Sequence, residues 1–203
     1  MPWTAAIIAG GAASRLDSRD KSRLLVGNRS ILERQLAAIR PLTDHVMVVA
    51  NRPERFADTP VRVVPDMIAG AGALGGIYTA LATASTEHVV AIACDMPFIT
   101  SAFLARLVAL AAEADLVIPK PADGYQPLCA CYSRACVEPI RRRIGVHALR
   151  VQDLAEEVRV REVGPAELAE FDASGLLFFN VNTPGDHDRA EQLVAERHGQ
   201  PQS

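Results

Sequence analysis

A stretch near the start of the chain combines adjacent glycines with positive charge. Gly10 and Gly11 end an apolar run. They are followed by three cationic side chains, Arg15, Arg19 and Lys21. Glycine accepts positive φ and lets the backbone approach a ligand closely, and successive backbone N–H groups in such a turn can surround an anion. Because the cations add positive charge at the same place, this stretch is predicted to be a loop that binds a polyphosphate.

The two commonest phosphate-binding motifs are absent from this loop. The residues before Lys21-Ser22 lack both glycines of the P-loop pattern G-x-x-x-x-G-K-[ST]. Gly10-Gly11 is followed by Ala12-Ala13 without a third glycine, so the dinucleotide pattern G-x-G-x-x-G is also missing. The sequence therefore favours neither a P-loop NTPase nor a standard dinucleotide-dependent dehydrogenase.

Asp95 is the second residue whose position suggests chemistry. It follows the continuous apolar run Val89–Cys94, which is typical of a strand buried on both faces, and α/β sheets bind ligands beyond the carboxyl ends of their strands. A carboxylate beside a triphosphate would hold Mg²⁺, which prefers one or two carboxylates together with phosphate oxygens. The alternative is that Asp95 begins a turn before Met96-Pro97. Position alone leaves both interpretations open.

Polar or glycine residues also follow the other predicted strands. Asn51 could bind a base or ribose or cap a turn, and the role of Asp66 is open in the same way. Gly72–Gly76 could let a base slide against the backbone or begin a helix. Because the carboxyl ends of parallel strands meet at one edge of a sheet, these residues are expected close to Asp95 and the glycine loop.

Apolar periodicity divides the chain into alternating strands and helices. After a first strand ahead of Gly10, strands are predicted over His45–Ala50, Val61–Asp66, Val89–Cys94, Asp115–Ile118, Pro127–Tyr132, Val158–Val163 and Leu176–Phe179. Helices are predicted from the capping box Ser30–Glu33 to Pro41, after the second glycine cluster, over Ser101–Ala112, around Pro139 and from Thr183-Pro184 onward. The alternation predicts an α/β, doubly wound, mostly parallel sheet. One domain is expected over residues 1–197, with a disordered tail over 198–203.

Composition and cysteine spacing exclude several classes of function. The 203 residues are 49% hydrophobic and 22% charged, with a net charge of -3, so a basic surface for nucleic acid is not expected. No apolar run reaches the ~18 residues of a membrane span, and no membrane partner is expected. None of the cysteines forms a C-x-x-C pair, so neither zinc nor a disulfide framework is expected for Cys94, Cys129, Cys131 and Cys136. The protein is predicted to be soluble and cytoplasmic.

Five short motifs occur in the same order in one known family. Ile8-Ala9-Gly10-Gly11, Arg15-Leu16 and Asp20-Lys21 together resemble the L-A-G-G…R-M-G…D-K signature of the molybdenum cofactor guanylyltransferases. Gly72–Gly76 resembles their G-P-L-G-G, Cys94–Pro97 their C-D-x-P, Gln126–Leu128 their Q-P-L and Asn180–Pro184 their N-V-N-T-P. The resemblance extends from residue 5 to about residue 190, which is nearly the whole chain.

This resemblance implies a three-layer, Rossmann-like fold of the nucleotide-diphospho-sugar transferase type. It also implies an enzyme that transfers GMP from GTP to the terminal phosphate of molybdopterin, with Mg²⁺ as cofactor and pyrophosphate as the second product. The implied catalytic residues are Arg15, Lys21 and Asp95, with Asp95 also as the metal ligand, and Asn180 and Asn182 lie toward molybdopterin. The implied GTP contacts are Ile8, Ala9, Gly10, Gly11, Lys21, Asn51, Asp66, Gly75 and Asp95. Proteins that insert molybdenum or mature molybdoenzymes are the further partners implied.

Three residues depart from the family pattern and keep other functions open. Leu16 stands where the family has Met, Asp17 where it has Gly, and Ala73 where it has Pro. The charge of Asp17 is unfavourable near a triphosphate unless a cation offsets it. Gly10 and Gly75-Gly76 favour GTP over the CTP of a sister cytidylyltransferase. A sugar-phosphate nucleotidyltransferase and a non-catalytic nucleotide-binding protein are the remaining alternatives.

Overall fold

A central sheet dominates the fold. The computed structural model describes residues 1–9, 24–68 and 70–199, without the side chains of 197–199. The strands of these residues are β1 Trp3–Ala9, β2 Leu25–Val26, β3 Arg29–Ser30, β4 Val46–Ala50, β5 Arg62–Pro65, β6 His88–Ala93, β7 Leu116–Pro119, β8 Cys129–Ser133 and β9 Val160–Val163. Seven of them form one sheet in the order β5-β4-β1-β6-β8-β7-β9, and β2 and β3 form a separate hairpin. The strand predicted over Val158–Val163 is present as β9 and lies at one edge of the sheet.

Helices connect most of these strands. They are α1 Ile31–Ile39, α2 Gly72–Thr83, α3 Ser101–Leu110, α4 Val137–Gly145, α5 Pro165–Leu168 and α6 Pro184–Gly199, with short 3-10 helices at Pro53–Phe56, Arg134–Cys136 and Val151–Glu156. The predicted capping box begins α1, since Ser30 Oγ accepts from the Glu33 N–H and Glu33 Oε2 accepts from the Ser30 N–H. Among the described helices, none is long and apolar enough to cross a membrane.

Parallel pairing brings the ends of four strands to one edge. β5, β4, β1 and β6 are parallel to one another, with Ala9 opposite Ala50, Ala50 opposite Pro65 and Ile8 opposite Ala93. β8 runs antiparallel to β6 and β7, so its first residue, Cys129, lies near the same edge. For the strand ends that the structure describes, the common edge expected from the sequence is therefore confirmed.

Two helical layers cover the faces of the sheet. Ile7 packs in a buried cluster with Leu36 of α1 and Leu107 of α3. Ile8 packs in a second cluster with Ile77 of α2. Successive strand residues point to opposite faces of a sheet, so β1 supplies apolar side chains to both clusters. This arrangement confirms the three-layer, doubly wound, mostly parallel fold.

One predicted strand is wrong. Leu176–Phe179 forms turns because the carboxylate of Asp172 accepts hydrogen bonds from the N–H groups of Leu176 and Leu177, at 2.8 and 2.9 Å. These groups are therefore engaged locally and do not join a ladder. The helical start predicted as one reading of Gly72–Gly76 is confirmed, since α2 begins at Gly72 and contains the remaining glycines of the motif; contact of these glycines with a base stays a prediction.

The β2–β3 hairpin is fastened to α6. The Gly27 N–H donates to Glu191 Oε1 at 2.9 Å, and His187 Nε2 lies 2.5 Å from Leu25 O. Val26 and Val194 lie in a third apolar cluster between the same two elements. Because α6 begins at Pro184, the last residue of the Asn180–Pro184 motif, these contacts connect that motif to the segment directly after residues 10–23.

α2 packs closely on β1 because residue 76 is a glycine and has no side chain. A Cβ added at Gly76 would lie 2.6 Å from Ile8 Cγ2, far inside van der Waals contact. Gly145 in α4 has nothing within 4 Å of the equivalent position. The glycine at 76 therefore sets the distance between helix and strand just behind the edge of the sheet.

Replacing Gly76 with alanine is expected to destabilise the protein by about 1–3 kcal/mol, the range for overpacking a filled core. Equilibrium urea unfolding measures the change in the free energy of unfolding. Gly145→Ala is the matched control and is expected to keep or gain stability, because alanine favours a helix more than glycine does. Equal unfolding free energies for the two variants would contradict the close contact between α2 and β1.

Candidate active site

The residues after β1, β4, β5 and β6 meet at one edge of the sheet. Asn51 directly follows β4 and is exposed, and the Asp66 N–H after β5 donates to Ala50 O at 3.1 Å. Ala9 ends β1 opposite Ala50. The predicted contacts Gly10, Gly11, Arg15 and Lys21, together with Asp17, lie outside the described residues. The described residues at this edge are therefore Ala9, Asn51, Asp66 and Asp95.

Ile8 lies beneath this edge rather than at its surface. Its side chain is 3% exposed and packs with the buried cluster of α2. Its carbonyl accepts a hydrogen bond from the Cys94 N–H at 3.2 Å. Ile8 thus supports both the helix that carries the glycine motif and the turn that carries Asp95.

The turn with Asp95 is held from both neighbouring strands and from a distant segment. The Ala93 N–H donates to Leu128 O at 2.8 Å, and the Val181 N–H donates to Asp95 O at 2.9 Å. Asp95 is partly buried in this setting. The structure therefore brings the C-D-x-P, Q-P-L and N-V-N-T-P motifs together, although they are far apart along the chain.

The Asn180–Asn182 segment alternates between core and surface. Val181 is fully buried, whereas Asn180 is partly exposed and Asn182 is exposed. Asn180 Nδ2 donates to Phe178 O at 2.8 Å, and the Asn182 N–H donates to Asp186 Oδ2 at 3.0 Å. Because Val181 fixes the segment against Asp95, both asparagines lie beside the turn that carries this carboxylate.

Asp66 ties the glycine motif to the sheet. Its Oδ1 accepts from Thr79 Oγ1 at 3.0 Å and from the Ile68 N–H at 3.1 Å. A Cβ added at Gly75 would lie 2.9 Å from Ala71 Cβ and 3.0 Å from Ile68 O. Gly75 therefore lets this loop fold against α2, and Asp66 holds it there.

Thr79 is a residue of the candidate site that sequence reasoning missed. It is fully buried in α2, and its Oγ1 also accepts a hydrogen bond from the Met67 N–H at 3.0 Å. The available signal was a hydroxyl residue between apolar neighbours on a helix, since a buried polar side chain is expected to have a bonding partner. Its partner could not be identified without the fold.

A group of three interacting side chains lies further along the same edge of the sheet, where β7 ends. Lys120 directly follows β7, and its Nζ lies 2.9 Å from Glu162 Oε1 and 4.8 Å from the centre of the Tyr125 ring. Tyr125 Oη also donates to Glu162. The hydrogen bond to Glu162 raises the pKa of Lys120, and the bonds from Tyr125 and Lys120 lower the pKa of Glu162. These partners fix the loop that leads to Gln126, whose N–H donates to Pro119 O at 2.9 Å.

Three of the four cysteines are unsuited to nucleophilic chemistry. Burial raises the pKa of the Cys129, Cys131 and Cys136 thiols to about 12, so they stay protonated near neutral pH. All four cysteines are free thiols. Buried thiols of this kind pack as small apolar side chains.

Comparisons with known proteins agree with the motifs. A model of the family described as the MobA-like NTP transferase domain matches residues 5–159. A protein of Pelotomaculum thermopropionicum named probable molybdenum cofactor guanylyltransferase is 33% identical over 191 residues, which cover 94% of this chain and 93% of the relative. A protein of Chloroflexus aggregans with the same name is 36% identical over 192 residues, which cover 92% of each chain.

A solved structure extends the likeness to three dimensions. The crystal structure of molybdopterin-guanine dinucleotide biosynthesis protein A from Archaeoglobus fulgidus superimposes with a TM-score of 0.80. It is 27% identical to this chain, and the match covers 95% of this chain and 99% of that one. The nucleotide-diphospho-sugar transferase type of fold, which the motif resemblance implied, is therefore confirmed.

Replacing Thr79 with valine is expected to loosen the loop after β5. The change removes the hydroxyl that bonds both Asp66 Oδ1 and the Met67 N–H, and a buried group left unsatisfied costs about 1–3 kcal/mol. Amide hydrogen exchange at Met67 and Ile68 is expected to become faster than in the unmodified protein.

Thr83→Val is the matched control for this measurement. Thr83 lies on the same helix, but its hydroxyl donates to the helix carbonyl of Thr79 at 2.7 Å rather than to the loop. Exchange at Met67 is expected to stay unchanged in this variant. Unchanged exchange in Thr79→Val as well would contradict the tie between the loop and α2.

Proposed function

Because the chain belongs to the MobA-like NTP transferase family, we propose that it transfers GMP from GTP to the terminal phosphate of molybdopterin and releases pyrophosphate. The observation that carries this proposal is the 2.9 Å hydrogen bond from the Val181 N–H to Asp95 O. It joins the segment assigned to the acceptor to the turn assigned to the nucleotide. The names of the relatives, molybdenum cofactor guanylyltransferase, support the same substrates.

GTP is proposed to bind along the edge from Ala9 to Asp95. The glycine loop at residues 10 and 11, with Arg15 and Lys21, is assigned to the triphosphate, because backbone N–H groups and cations bind phosphate oxygens. Asn51 and the loop that Asp66 and Thr79 hold are assigned to the nucleoside. The close fit of Gly75 against Ala71 and Ile68 supports a shallow, backbone-lined surface at this end.

Molybdopterin is proposed to bind beside Asn180 and Asn182. Both residues lie next to the turn with Asp95, because the N–H of Val181 between them donates to Asp95 O. The Gln126–Leu128 motif borders the same turn, because the Leu128 carbonyl accepts the Ala93 N–H. A phosphate held there would be close to a nucleotide held over β1 and β4.

The proposed reaction relies on positioning and charge neutralisation. The attacking group is a phosphate monoester, whose second pKa of about 6 leaves it largely ionised at neutral pH, so no protein base is needed to activate it. Its oxygen forms a bond to the α-phosphorus of GTP, and the bond to the bridging oxygen of pyrophosphate breaks. Arg15 and Lys21 would neutralise the charge that develops on the phosphate oxygens.

Mg²⁺ is proposed as the cofactor, held by Asp95 together with phosphate oxygens. In the described part of the chain, no group of three or more His, Cys, Asp or Glu side chains is arranged to hold a metal ion. A single carboxylate at a nucleotide site fits Mg²⁺, since this ion is commonly bound by one or two carboxylates and substrate phosphates. The ion would supply Lewis-acid polarisation of the phosphoryl group.

The proposal also includes a cellular location and protein partners. Four free thiols support a reducing, cytoplasmic location. Proteins that insert molybdenum into molybdopterin would supply the acceptor or receive the product, and molybdoenzyme-maturation proteins would deliver the finished cofactor. A cytidylyltransferase, a sugar-phosphate nucleotidyltransferase and a non-catalytic binding protein are the alternatives that the next experiment separates.

Purified protein with Mg²⁺ and molybdopterin is expected to release pyrophosphate from GTP in preference to CTP, ATP and UTP. The reason is the guanylyltransferase pattern of glycines at Gly10 and Gly75-Gly76. A coupled pyrophosphate assay with each nucleotide measures the preference as a ratio of kcat/KM values. A preference for CTP would overturn the proposed substrate, and tight GTP binding without turnover would indicate a binding protein.

Asp95→Asn is expected to lower kcat by about 10²–10³, the loss typical of removing one electrostatic contact to the transition state. Asp44→Asn is the control, because Asp44 is exposed ahead of β4, at the opposite edge of the sheet. Both variants are expected to keep the circular dichroism spectrum of the unmodified protein. Turnover of Asp95→Asn within twofold of the unmodified enzyme would show that the metal lies elsewhere.

A further inference from the structure

Gln35 is a fully buried polar residue on the apolar face of α1. Its side chain is 0% exposed, and its neighbours on this face are the buried Leu32, Leu36 and Ile39. Glutamine is mostly found at protein surfaces, and a buried one is expected to have bonding partners. Its position in the core therefore calls for a physical reason.

The partners of Gln35 enclose the residue assigned to the metal. Nε2 donates to Ala93 O at 2.7 Å and to Met96 O at 3.1 Å, the carbonyls on either side of Cys94 and Asp95. The hydrogen bond that closes this turn from within, from the Met96 N–H to Ala93 O, is longer, at 3.4 Å. The amide of Gln35 therefore makes a shorter contact with the turn than the turn makes with itself.

The other atom of the same amide is unsatisfied. Gln35 Oε1 is buried and has no hydrogen-bond partner among the described residues. An unmet buried acceptor costs free energy, so stability alone does not account for an amide at this position. The two donated bonds assign Nε2 as the amide nitrogen, because carbonyl oxygens accept and do not donate. What the amide provides is a fixed geometry for residues 93–96.

We propose that Gln35 is a positioning residue that orients the Asp95 turn for metal binding. This inference rests on the proposed role of Asp95 in binding Mg²⁺. Gln35 fixes the two carbonyls that flank Cys94-Asp95 from the α1 side, while Ile8 O and the Val181 N–H hold the same turn from β1 and from the Asn180–Asn182 segment. Residues that orient a metal ligand in this way alter metal affinity without touching the ion.

Gln35→Met tests the proposal, because methionine keeps the length of the side chain and removes both donors. Mn²⁺, which takes the same kind of oxygen ligands as Mg²⁺, is titrated into each protein with saturating GTP and followed by electron paramagnetic resonance. The metal concentration at half saturation is expected to rise about 10-fold or more, the effect typical of losing such an outer contact. GTP binding in EDTA is expected to stay unchanged.

Thr86→Val is the control for a purely structural loss. The Thr86 hydroxyl is buried at the opposite edge of the sheet, 2.7 Å from Thr4 Oγ1, and it also donates to His88 O at 2.9 Å. This variant is expected to lose thermal stability as Gln35→Met does, but to keep the metal affinity and kcat of the unmodified protein. Metal affinity in Gln35→Met equal to that in Thr86→Val would overturn the proposal.

Two further variants keep the outcome decisive. Gln35→Leu also removes both donors, so it is expected to weaken metal binding like Gln35→Met, and metal binding as tight as in the unmodified protein would overturn the proposal. Asp95→Asn is titrated in parallel. If Asp95→Asn leaves metal affinity unchanged, the metal assignment in the proposed function fails. If Asp95→Asn weakens binding and the Gln35 variants do not, only the positioning role fails.

Discussion

The register of the hydrogen bonds around β1 is the constraint on which the rest of the structure depends. Ala9 lies opposite Ala50, and Ile8 lies opposite Ala93, so three parallel strands end at nearly the same height. A shift by one residue would exchange the two faces of β1 and separate the strand ends. Because β1 is buried on both faces, such a shift would cost the packing of both apolar clusters. The positions of the residues at the edge are therefore set by β1, whose register is fixed by packing on both of its faces.

The contacts that stabilise the core behind the edge also shape the edge itself. Gly76 lets α2 approach Ile8, and one turn later Thr79 reaches Asp66. On the other face, α1 places Gln35 against the turn after β6. In both cases a helix that covers one face of the sheet fixes a loop at the end of a strand. Thr79 and Gln35 both bond backbone groups of these loops, and these bonds fix the loops against the helices.

Much of the fold could be predicted from local patterns, and the wrong strand prediction also has a local cause. Continuous apolar runs identified the buried strands, and the capping box at Ser30 identified the start of α1 because both of its hydrogen bonds are made within a few residues. Leu176–Phe179 looked like a strand by composition, yet the carboxylate of Asp172 engages its N–H groups first. The motif residues Asn51, Asp66 and Asp95 were placed at the correct edge, whereas Thr79 and Gln35 were not singled out as parts of the site, since a buried polar residue on a helix does not reveal its partner.

The amino-acid sequence by itself determined the family, the alternation of strands and helices and the residues that line the edge, because glycines, apolar runs and caps act over a few neighbouring positions. Only the tertiary structure decided which of these residues meet. The pairing of Val181 with Asp95 and the clamp of Gln35 on Ala93 and Met96 join segments that are distant along the chain. Such contacts depend on strand register and on the approach of helices to the sheet, and no local pattern encodes either one.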